Sequence, residues 1–207
     1  DNTIICFTSD NGGASSGEPF ATSNLPLRGG KGRQWEAGIR EPFYIKVPGM
    51  TDPGMTCNTP VSFIDFYPTF LELTGCKIPQ QQTIDGLSLV PLLDVNKSCQ
   101  ANNQQRRSII KNRDLFWHYP HYGNQGGDPS CIIRRKNWKL IHYFEDGHDE
   151  LYDLNTDPCE QFDISATYES KTTEMRASLD EWLREVKAQF PRIDPNYNPE
   201  SARKAAD

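Results

Sequence analysis

The sequence predicts an α/β fold in two parts, and three observations support it. A β-branched and aromatic run without alternation, Thr3–Thr8, is typical of a strand covered on both faces. From residue 114 onward, four short strand candidates follow one another closely, which favours antiparallel pairing. An amphipathic pattern then predicts a long helix over residues 169–190. We therefore expect an α/β part over residues 1–112 and a small α+β part over residues 113–207.

The first part continues with a second predicted buried strand, Glu41–Val47, which a Pro-Gly pair ends. Ser62 and Asp65 form a capping-box-like start to an amphipathic helix that Gly75 ends. The residues of this helix that we expect to face the core are Phe63, Phe66, Tyr67, Phe70 and Leu71. Residues 76–112 are polar, with Gln and Asn concentrated around 96–105, and are expected to form a linker or a long surface loop.

The second part is predicted to be a small sheet with one helix packed across it. Turn residues rich in Gly, Asp and Pro separate its strand candidates. These strands are Leu115–Tyr119, Cys131–Arg135, Trp138–Phe144 and Glu150–Leu154. The final helix carries six apolar residues on one face, namely Met175, Leu179, Trp182, Leu183, Val186 and Phe190.

Composition limits the classes of partner and site. The net charge of −6 argues against a nucleic-acid-binding protein, which would carry a basic stripe. No apolar run approaches the ~18 residues of a membrane span. The six cysteines contain no C-x-x-C pair, which argues against a zinc site. Cys6, in the first predicted strand, is expected to stay a free thiol, and the pairing of the others, Cys99 among them, is left open.

Two oxygen donors stand where the first predicted strand ends. Asp10 and Asn11 offer a carboxylate and an amide carbonyl, which are the ligand types that Ca²⁺ and Mg²⁺ prefer. In open α/β sheets, ligands bind at the carboxyl ends of strands. Gly12 and Gly13 allow the chain to bend, so that both donors can reach one ion. A solvated turn without a ligand is the alternative at this point.

Lys31 stands between Gly30 and Gly32, and this arrangement outlines an oxyanion site. Without neighbouring side chains, an anion can approach both the ammonium group and the backbone N–H groups. The stretch does not fit a Walker A loop, which would require Gly in place of Leu25 and Ser or Thr in place of Gly32. Asp10 does not begin an EF-hand either. A surface lysine without a ligand is the alternative.

The order of several strings along the chain resembles the C-terminal half of a type I sulfatase of the alkaline phosphatase superfamily. The strings are S-D-N-G-G at 9–13, P-L-R-G-G-K-G at 26–32, W-E-A-G-I-R-E-P-F at 35–43, D-F-Y-P-T-F-L-E-L-T-G at 65–75, L-F-W-H-Y-P-H-Y at 115–122, W-K-L-I at 138–141 and E-L-Y-D-L-N-T-D-P at 150–158. The resemblance implies that residues 1–112 form the remainder of a sulfatase-type mixed sheet with flanking helices.

The resemblance also implies roles for individual residues. Asp10 and Asn11 are similar to the pair that ligates Ca²⁺ in sulfatases, with Mg²⁺ as the alternative ion. Lys31 is similar to the lysine that contacts the sulfate and assists the leaving group. Because the C-terminal region of sulfatases folds over the mouth of the active site, one of the pair His118 and His121 is expected to contact the sugar or aryl part of the substrate. Surface or core histidines without a ligand are the alternative.

Two departures from the family pattern are visible. Ala37 stands where the family often has glycine, and its methyl group should be tolerated unless the position needs a positive φ. The C/S-x-P-x-R motif that gives rise to the formylglycine nucleophile does not occur in the sequence. The nearest string, residues 24–28, begins with an asparagine, which cannot be converted. The chain is therefore expected to need the N-terminal half of the same enzyme and to be inactive alone.

The leading hypothesis is part of a Ca²⁺-dependent sulfatase that hydrolyses sulfate esters of carbohydrates or of another sulfated small molecule. One alternative is a phosphoester or phosphonate hydrolase of the same superfamily, which the nucleophile motif would distinguish. Another is a non-catalytic module in which residues 114–207 bind sulfated glycans. A periplasmic, secreted or lysosomal location is expected from the resemblance.

Overall fold

The computed structural model describes residues 2–14, 22–94 and 100–197 and confirms the mixed α/β class. Strands β1 (Ile5–Thr8) and β2 (Phe43–Lys46) form a two-stranded antiparallel sheet. A second, four-stranded sheet contains β3 (Asp114–Tyr119), β4 (Ser130–Arg135), β5 (Trp138–Tyr143) and β6 (Asp149–Asp153). The helices are α1 (Glu36–Ile39), α2 (Phe66–Leu73), α3 (Val90–Leu93), α4 (Ala101–Asn112) and α5 (Glu169–Glu185).

Strand β1 is shorter and more exposed than the sequence predicted. Ile5 and Phe7 on one face are 54% and 64% exposed, and Cys6 on the other face is half-buried. Tyr44 of β2, which packs against Phe7 with ring centroids 6.2 Å apart, is exposed as well. The apolar run correctly indicated a strand, but within the described part of the chain no element covers the face that carries Ile5 and Phe7.

The predicted capping box at the start of α2 is confirmed. The Asp65 carboxylate accepts a hydrogen bond from the Ser62 N–H at 2.8 Å, and a 3₁₀ turn over Phe63–Asp65 leads into the helix. Gly75, with φ of 70°, follows its end. Two of the aromatic residues expected to face the core, Phe63 and Tyr67, are instead 47% and 44% exposed. Phe66 packs against Phe43 of β2 with ring centroids 5.1 Å apart.

The prediction of a linker or long loop over residues 76–112 holds for residues 76–89 but was wrong for α3 and α4, and residues 95–99 lie outside the described residues. Helix α4 packs against α3, and among its residues only Ile110 and Asn103 are buried. Arg106 pairs with Glu72 of α2 at 2.5 Å. A helix that buries so few of its side chains leaves a weak apolar periodicity, so its composition resembles that of a loop.

The second sheet confirms the four predicted strands to within one or two residues at each end. Its order is β3-β4-β5-β6, and every neighbouring pair is antiparallel. Helix α5 packs on one face, where the core consists of Cys131, Ile133, Leu140, Leu151, Met175, Leu179 and Leu183. The helix ends at Glu185, so Val186 and Phe190 lie beyond it and are 51% and 55% exposed, contrary to the prediction that they belong to its buried face.

The opposite face of this sheet is covered by the segment around α1. Its buried residues are Ile132, Ile141, Tyr143 and Tyr152, against which Trp35 and Ile39 pack. The four-stranded sheet therefore lies between α5 and the segment that follows Lys31. The predicted division of the chain at residues 112 and 113 stays a prediction.

Five cysteines are free thiols, as was predicted for Cys6. They are Cys6, Cys57, Cys76, Cys131 and Cys159, and Cys99 lies outside the described residues. Burial raises the pKa of the Cys6 thiol and raises the pKa of Cys131 to about 12. Within residues 2–14, 22–94 and 100–197, no helix combines the length and apolarity needed to cross a membrane.

Candidate functional site

The turn that follows β1 packs directly against the backbone of Lys31. The Lys31 N–H donates a hydrogen bond to the Gly13 carbonyl oxygen at 3.0 Å. Gly12 is buried, and a Cβ there would lie 2.6 Å from the Ala37 carbonyl oxygen and 2.9 Å from the Lys31 nitrogen. Gly12 is therefore required for this close approach. The two segments that carry the predicted site residues are neighbours in the fold.

The side chains of the predicted metal and sulfate residues remain available to a ligand. Asp10 is exposed and Asn11 half-buried. Their side chains and that of Lys31 form no hydrogen bond or ion pair with the described part of the protein. The three side chains can therefore reach a ligand without first breaking a contact of the described fold.

Two carboxyl groups, those of Asp10 and Glu41, repel each other at the end of β1. The Oε1 atom of Glu41 is buried and lacks a hydrogen-bond partner in the described structure. Burial, and then the nearby charge of Asp10, raise the pKa of Glu41. A divalent cation beside Asp10 would relieve this repulsion, so the oxygen donors present fit Ca²⁺.

If this site binds Ca²⁺, the described residues can supply only part of the coordination shell. Ca²⁺ takes about six to eight oxygen ligands. The described residues contain no group of three or more His, Cys, Asp or Glu side chains that could hold a metal ion. Asp10 and Asn11 would thus supply two of the ligands, and the metal role of both stays a prediction.

The Lys31 loop is closed tightly on itself and on α1. The Arg33 N–H donates to the Gly30 carbonyl oxygen at 2.9 Å, and Gly32 has a φ of 80°. A Cβ on Gly38 would lie 2.0 Å from the Arg33 carbonyl oxygen and 2.6 Å from that of Gly30. Ala37 lies within α1 and needs no positive φ, so its methyl group is tolerated there.

The glycine-rich loop after β3 lies on the Lys31 loop. A Cβ on Gly127 would be 2.0 Å from the Gly32 carbonyl oxygen. Tyr119, at the end of β3, lies against Gly127, and its ring meets the His121 ring edge-on with centroids 5.0 Å apart. His121 is exposed beside this contact. It therefore belongs to a segment that borders the Lys31 loop.

His118 lies on the other face of the sheet. Its Nε2 atom is 2.8 Å from the Gln189 carbonyl oxygen, and its ring contacts those of Phe144 and Phe190. Phe116, two residues earlier and on the same face, stacks on Trp182 of α5. The structure thus places His118 on the α5 face of the sheet and His121 in the loop after β3, and substrate contact by either stays a prediction.

A buried cluster of charged residues next to this site was not predicted from the sequence. Glu36, Lys139 and Glu160 are each 0% exposed. Burial raises the pKa of Glu160, while the charge of Lys139 acts in the opposite direction. Both W-E-A-G-I-R and W-K-L-I were recognised as family strings, but nothing in the sequence pairs Glu36 with Lys139. A lysine in a strand ordinarily faces solvent.

Residues 24–28, the string nearest to the nucleophile motif, end in an arginine whose side chain contacts other parts of the fold. Arg28, its last residue, donates to the Tyr152 hydroxyl at 3.1 Å and to the Glu160 carbonyl oxygen at 2.8 Å. Its guanidinium lies 3.7 Å from the Trp35 ring centroid. A cleft of about 630 Å³ opens between residues 22–29 and 159–161. None of the predicted site residues lines it.

Comparison with known proteins identifies the family. The model of the family described as N-sulphoglucosamine sulphohydrolase, C-terminal, matches residues 31–189. A sulfatase of Formosa agariphila is 35% identical over 196 residues, which cover 88% of this chain and 33% of that protein. A steryl-sulfatase of Mus musculus is 30% identical over 210 residues, which cover 91% of this chain and 33% of that protein.

A solved structure shares the fold. It contains D-glucosamine-2-N,6-O-disulfate, described as its substrate, and is 29% identical with a TM-score of 0.69. The match covers 92% of this chain and 36% of the other. The chain spans about a third of the length of the curated relatives it matches. Because the family model covers most of the sequence, from Lys31 to beyond α5, the chain belongs to the sulfatase family, in the part described as N-sulphoglucosamine sulphohydrolase, C-terminal.

Proposed function

We propose that this chain supplies the C-terminal part of a Ca²⁺-dependent sulfatase that hydrolyses sulfate esters of carbohydrates. The observation that carries the proposal is the packing of the Lys31 loop against the turn after β1. This packing brings together a cationic group and two oxygen donors whose side chains have no partners within the described structure. The similar sulfatases support hydrolysis of a sulfate ester over a phosphoester.

The residues of this chain would act on charge and position. Asp10 and Asn11 would hold part of the coordination shell of Ca²⁺, which when bound supplies Lewis-acid polarisation of the sulfate oxygens. The Lys31 ammonium would contact the sulfate and offset the negative charge that develops on the bridging oxygen as the S–O bond breaks. The formylglycine and the remaining ligands would belong to the N-terminal half of the enzyme, so we expect this chain alone to be inactive.

A sulfated sugar is the substrate class that the comparisons favour. The solved relative that contains a disulfated glucosamine supports it. The mouse relative named steryl-sulfatase supports a sulfated steroid as the second candidate. His121 lies in the segment that borders the Lys31 loop, where it would contact the sugar. His118 would need release of its Nε2 atom from the Gln189 carbonyl oxygen to do so.

Substitution of Lys31 tests the proposal. In the full-length enzyme, Lys31→Ala should lower kcat for a sulfated glucosamine by about 10²–10³, the range measured for a single preorganised charge stabiliser. Lys111→Ala is the matched control, because Lys111 is an exposed lysine on α4. Steady-state release of inorganic sulfate measures both. A Lys31→Ala enzyme that turns over at the rate of the control would refute the role of Lys31.

A further inference from the structure

Four charged residues form a cluster between the second sheet and α1, which we call the buried charge cluster. Its members are the fully buried Glu36, Lys139 and Glu160 and the half-buried Arg134. The Lys139 Nζ atom lies 2.7 Å from Glu160 Oε1 and 3.3 Å from Glu36 Oε1. Arg134 reaches Glu36 Oε2 at 3.1 Å. The backbone N–H of Glu36 donates to Glu160 Oε2 at 2.5 Å. Strands β4 and β5 are thereby tied to the first residue of α1.

Such a cluster is a poor way to gain stability. The desolvation of buried charges offsets much of their mutual attraction, and apolar residues of similar volume often serve a fold as well or better. A buried charge network differs from apolar packing in its directional requirements, because each charge must keep its partner in one geometry. We therefore infer that the cluster holds α1 in one position and contributes little to folding stability.

The position of α1 determines the position of the Lys31 loop. The Ala37 N–H donates to the Arg28 carbonyl oxygen at 3.1 Å, which closes the segment on both sides of Lys31. Gly38 lies directly beneath the carbonyl oxygens of Gly30 and Arg33, where not even a methyl group fits. A displacement of Glu36 would therefore be transmitted to Lys31 through contacts that leave no free space.

We propose that Lys139 is a positioning residue for the sulfatase reaction: it neutralises Glu36 and Glu160 and so fixes the loop that carries Lys31 against the turn after β1. The inference rests on the proposed contact between Lys31 and the sulfate. Lys139 lies in the interior of the protein and touches no substrate, so its effect on the reaction passes through Lys31. This indirect action distinguishes it from a catalytic residue.

A double-mutant cycle in the full-length enzyme tests the inference. Lys139→Met should lower kcat about 10- to 100-fold when Lys31 is present, because a displacement of about 1 Å in a reacting group has effects of this size. In a Lys31→Ala background the same change should alter kcat by less than about twofold, because the group that it positions is gone. Equal losses in both backgrounds would overturn the proposal.

Arg135→Met is the matched control. Arg135 pairs with Asp114 at 2.5 Å and with Glu174 of α5 at 2.6 Å, so its loss also breaks ion pairs of the sheet. These pairs lie on the α5 side, away from the Lys31 loop. We expect the control to change kcat by less than about twofold in either background. A loss equal to that of Lys139→Met would mean that general weakening of the sheet explains both.

Hydrogen exchange separates this inference from the proposed function. Lys139→Met should accelerate exchange of the Lys31 and Ala37 amides at least about tenfold while leaving the amides of β4 unchanged. Uniform acceleration, or none, would overturn the positioning role whatever Lys31 does. If Lys31→Ala alone leaves kcat unchanged, the proposed function fails instead, and exchange still decides whether Lys139 fixes the loop.

If the Lys139→Met variant does not fold, Glu160→Gln is the second variant that tests the inference. The amide oxygen of the new side chain can still accept the Glu36 N–H, while the negative charge that faces Lys139 is lost. We expect the same pattern on a smaller scale, with a loss of kcat of about threefold to tenfold that disappears in the Lys31→Ala background. Absence of any loss, or a loss that persists without Lys31, would contradict the proposal.

Discussion

At the scale of single residues, Gly38 shows how closely the Lys31 loop is packed. Gly38→Ala should destabilise the protein by about 1–3 kcal/mol or more, because the new methyl group would meet two carbonyl oxygens at 2.0 and 2.6 Å. Gly49→Ala is the control, because its Cβ position has no atom of the described residues within 4 Å apart from its chain neighbours, and only the φ of 71° opposes the change. Urea unfolding compares the two. Gly38 has no positive φ, so a loss for Gly38→Ala no larger than that for Gly49→Ala would contradict the predicted crowding.

Asp149 gives the protein a predictable response to acid. Burial opposes ionisation of Asp149, but the hydrogen bond with His142 at 2.8 Å and the charge of Arg176 prevail and lower its pKa. A carboxyl with a lowered folded-state pKa stabilises the protein at pH values above its ordinary pKa of about 4. This contribution is lost as the pH falls through the lowered value.

The measurement for Asp149 is the free energy of unfolding as a function of pH. The wild-type protein should lose more stability than Asp149→Asn between pH 6 and pH 3, because the variant has no carboxyl to protonate at this position. Asp163→Asn is not a suitable control, since Asp163 accepts hydrogen bonds from Leu151 and Ser165. Asp52→Asn, at an exposed position just before a turn, is suitable. Parallel pH profiles for wild type and Asp149→Asn would contradict the assignment.

Residue type and spacing could predict some members of the site but not others. Asp10, Asn11 and Lys31 stand beside glycines in short strings, so their chemistry is visible locally. The buried charge cluster joins Glu36 to Lys139 and Glu160, which are 103 and 124 residues further along the chain. Charges at such separations in sequence meet only in the folded structure, so no local pattern reveals them.

At the scale of elements, the second part was easier to predict than the first. Turns rich in Gly, Asp and Pro marked the ends of β3 to β6, and local hairpin pairing then fixed their order. Helix α4 was missed because it buries little more than Ile110 and Asn103. Strand β1 was predicted correctly, but the prediction that it is buried on both faces was wrong. An apolar run indicates that a strand needs to be covered, and the described part of the chain does not cover one of its faces.

Helix α5 should be a major source of stability for the second part. Leu179 is 0% exposed in the core against β4 and β5, so Leu179→Ala should lower the free energy of unfolding by about 2–5 kcal/mol. Val186, just beyond the helix and 51% exposed, is the control, and Val186→Ala should change the free energy by less than about 0.5 kcal/mol. Chemical denaturation measures both. Similar small losses would show that α5 does not pack on the sheet as described.

At the scale of the whole molecule, the four-stranded sheet lies between α5 and the segment that carries Lys31 and α1. Helix α5 covers one face, and the segment of α1 covers the other and is fixed there by the buried charge cluster. The chain spans about a third of its curated relatives. Ile5, Phe7 and Tyr44 form an apolar surface on the two-stranded sheet that no element of the described chain covers.

The central claim is that the end of β1 holds a divalent cation next to Lys31, and titration calorimetry tests it most directly. In the full-length enzyme, Asp10→Ala should weaken Ca²⁺ binding by more than about 10- to 100-fold, the range found for residues that merely support metal ligands, and should abolish turnover with it. Asp52→Ala, an exposed aspartate elsewhere, should do neither. Full calcium affinity and full turnover in Asp10→Ala would contradict the account.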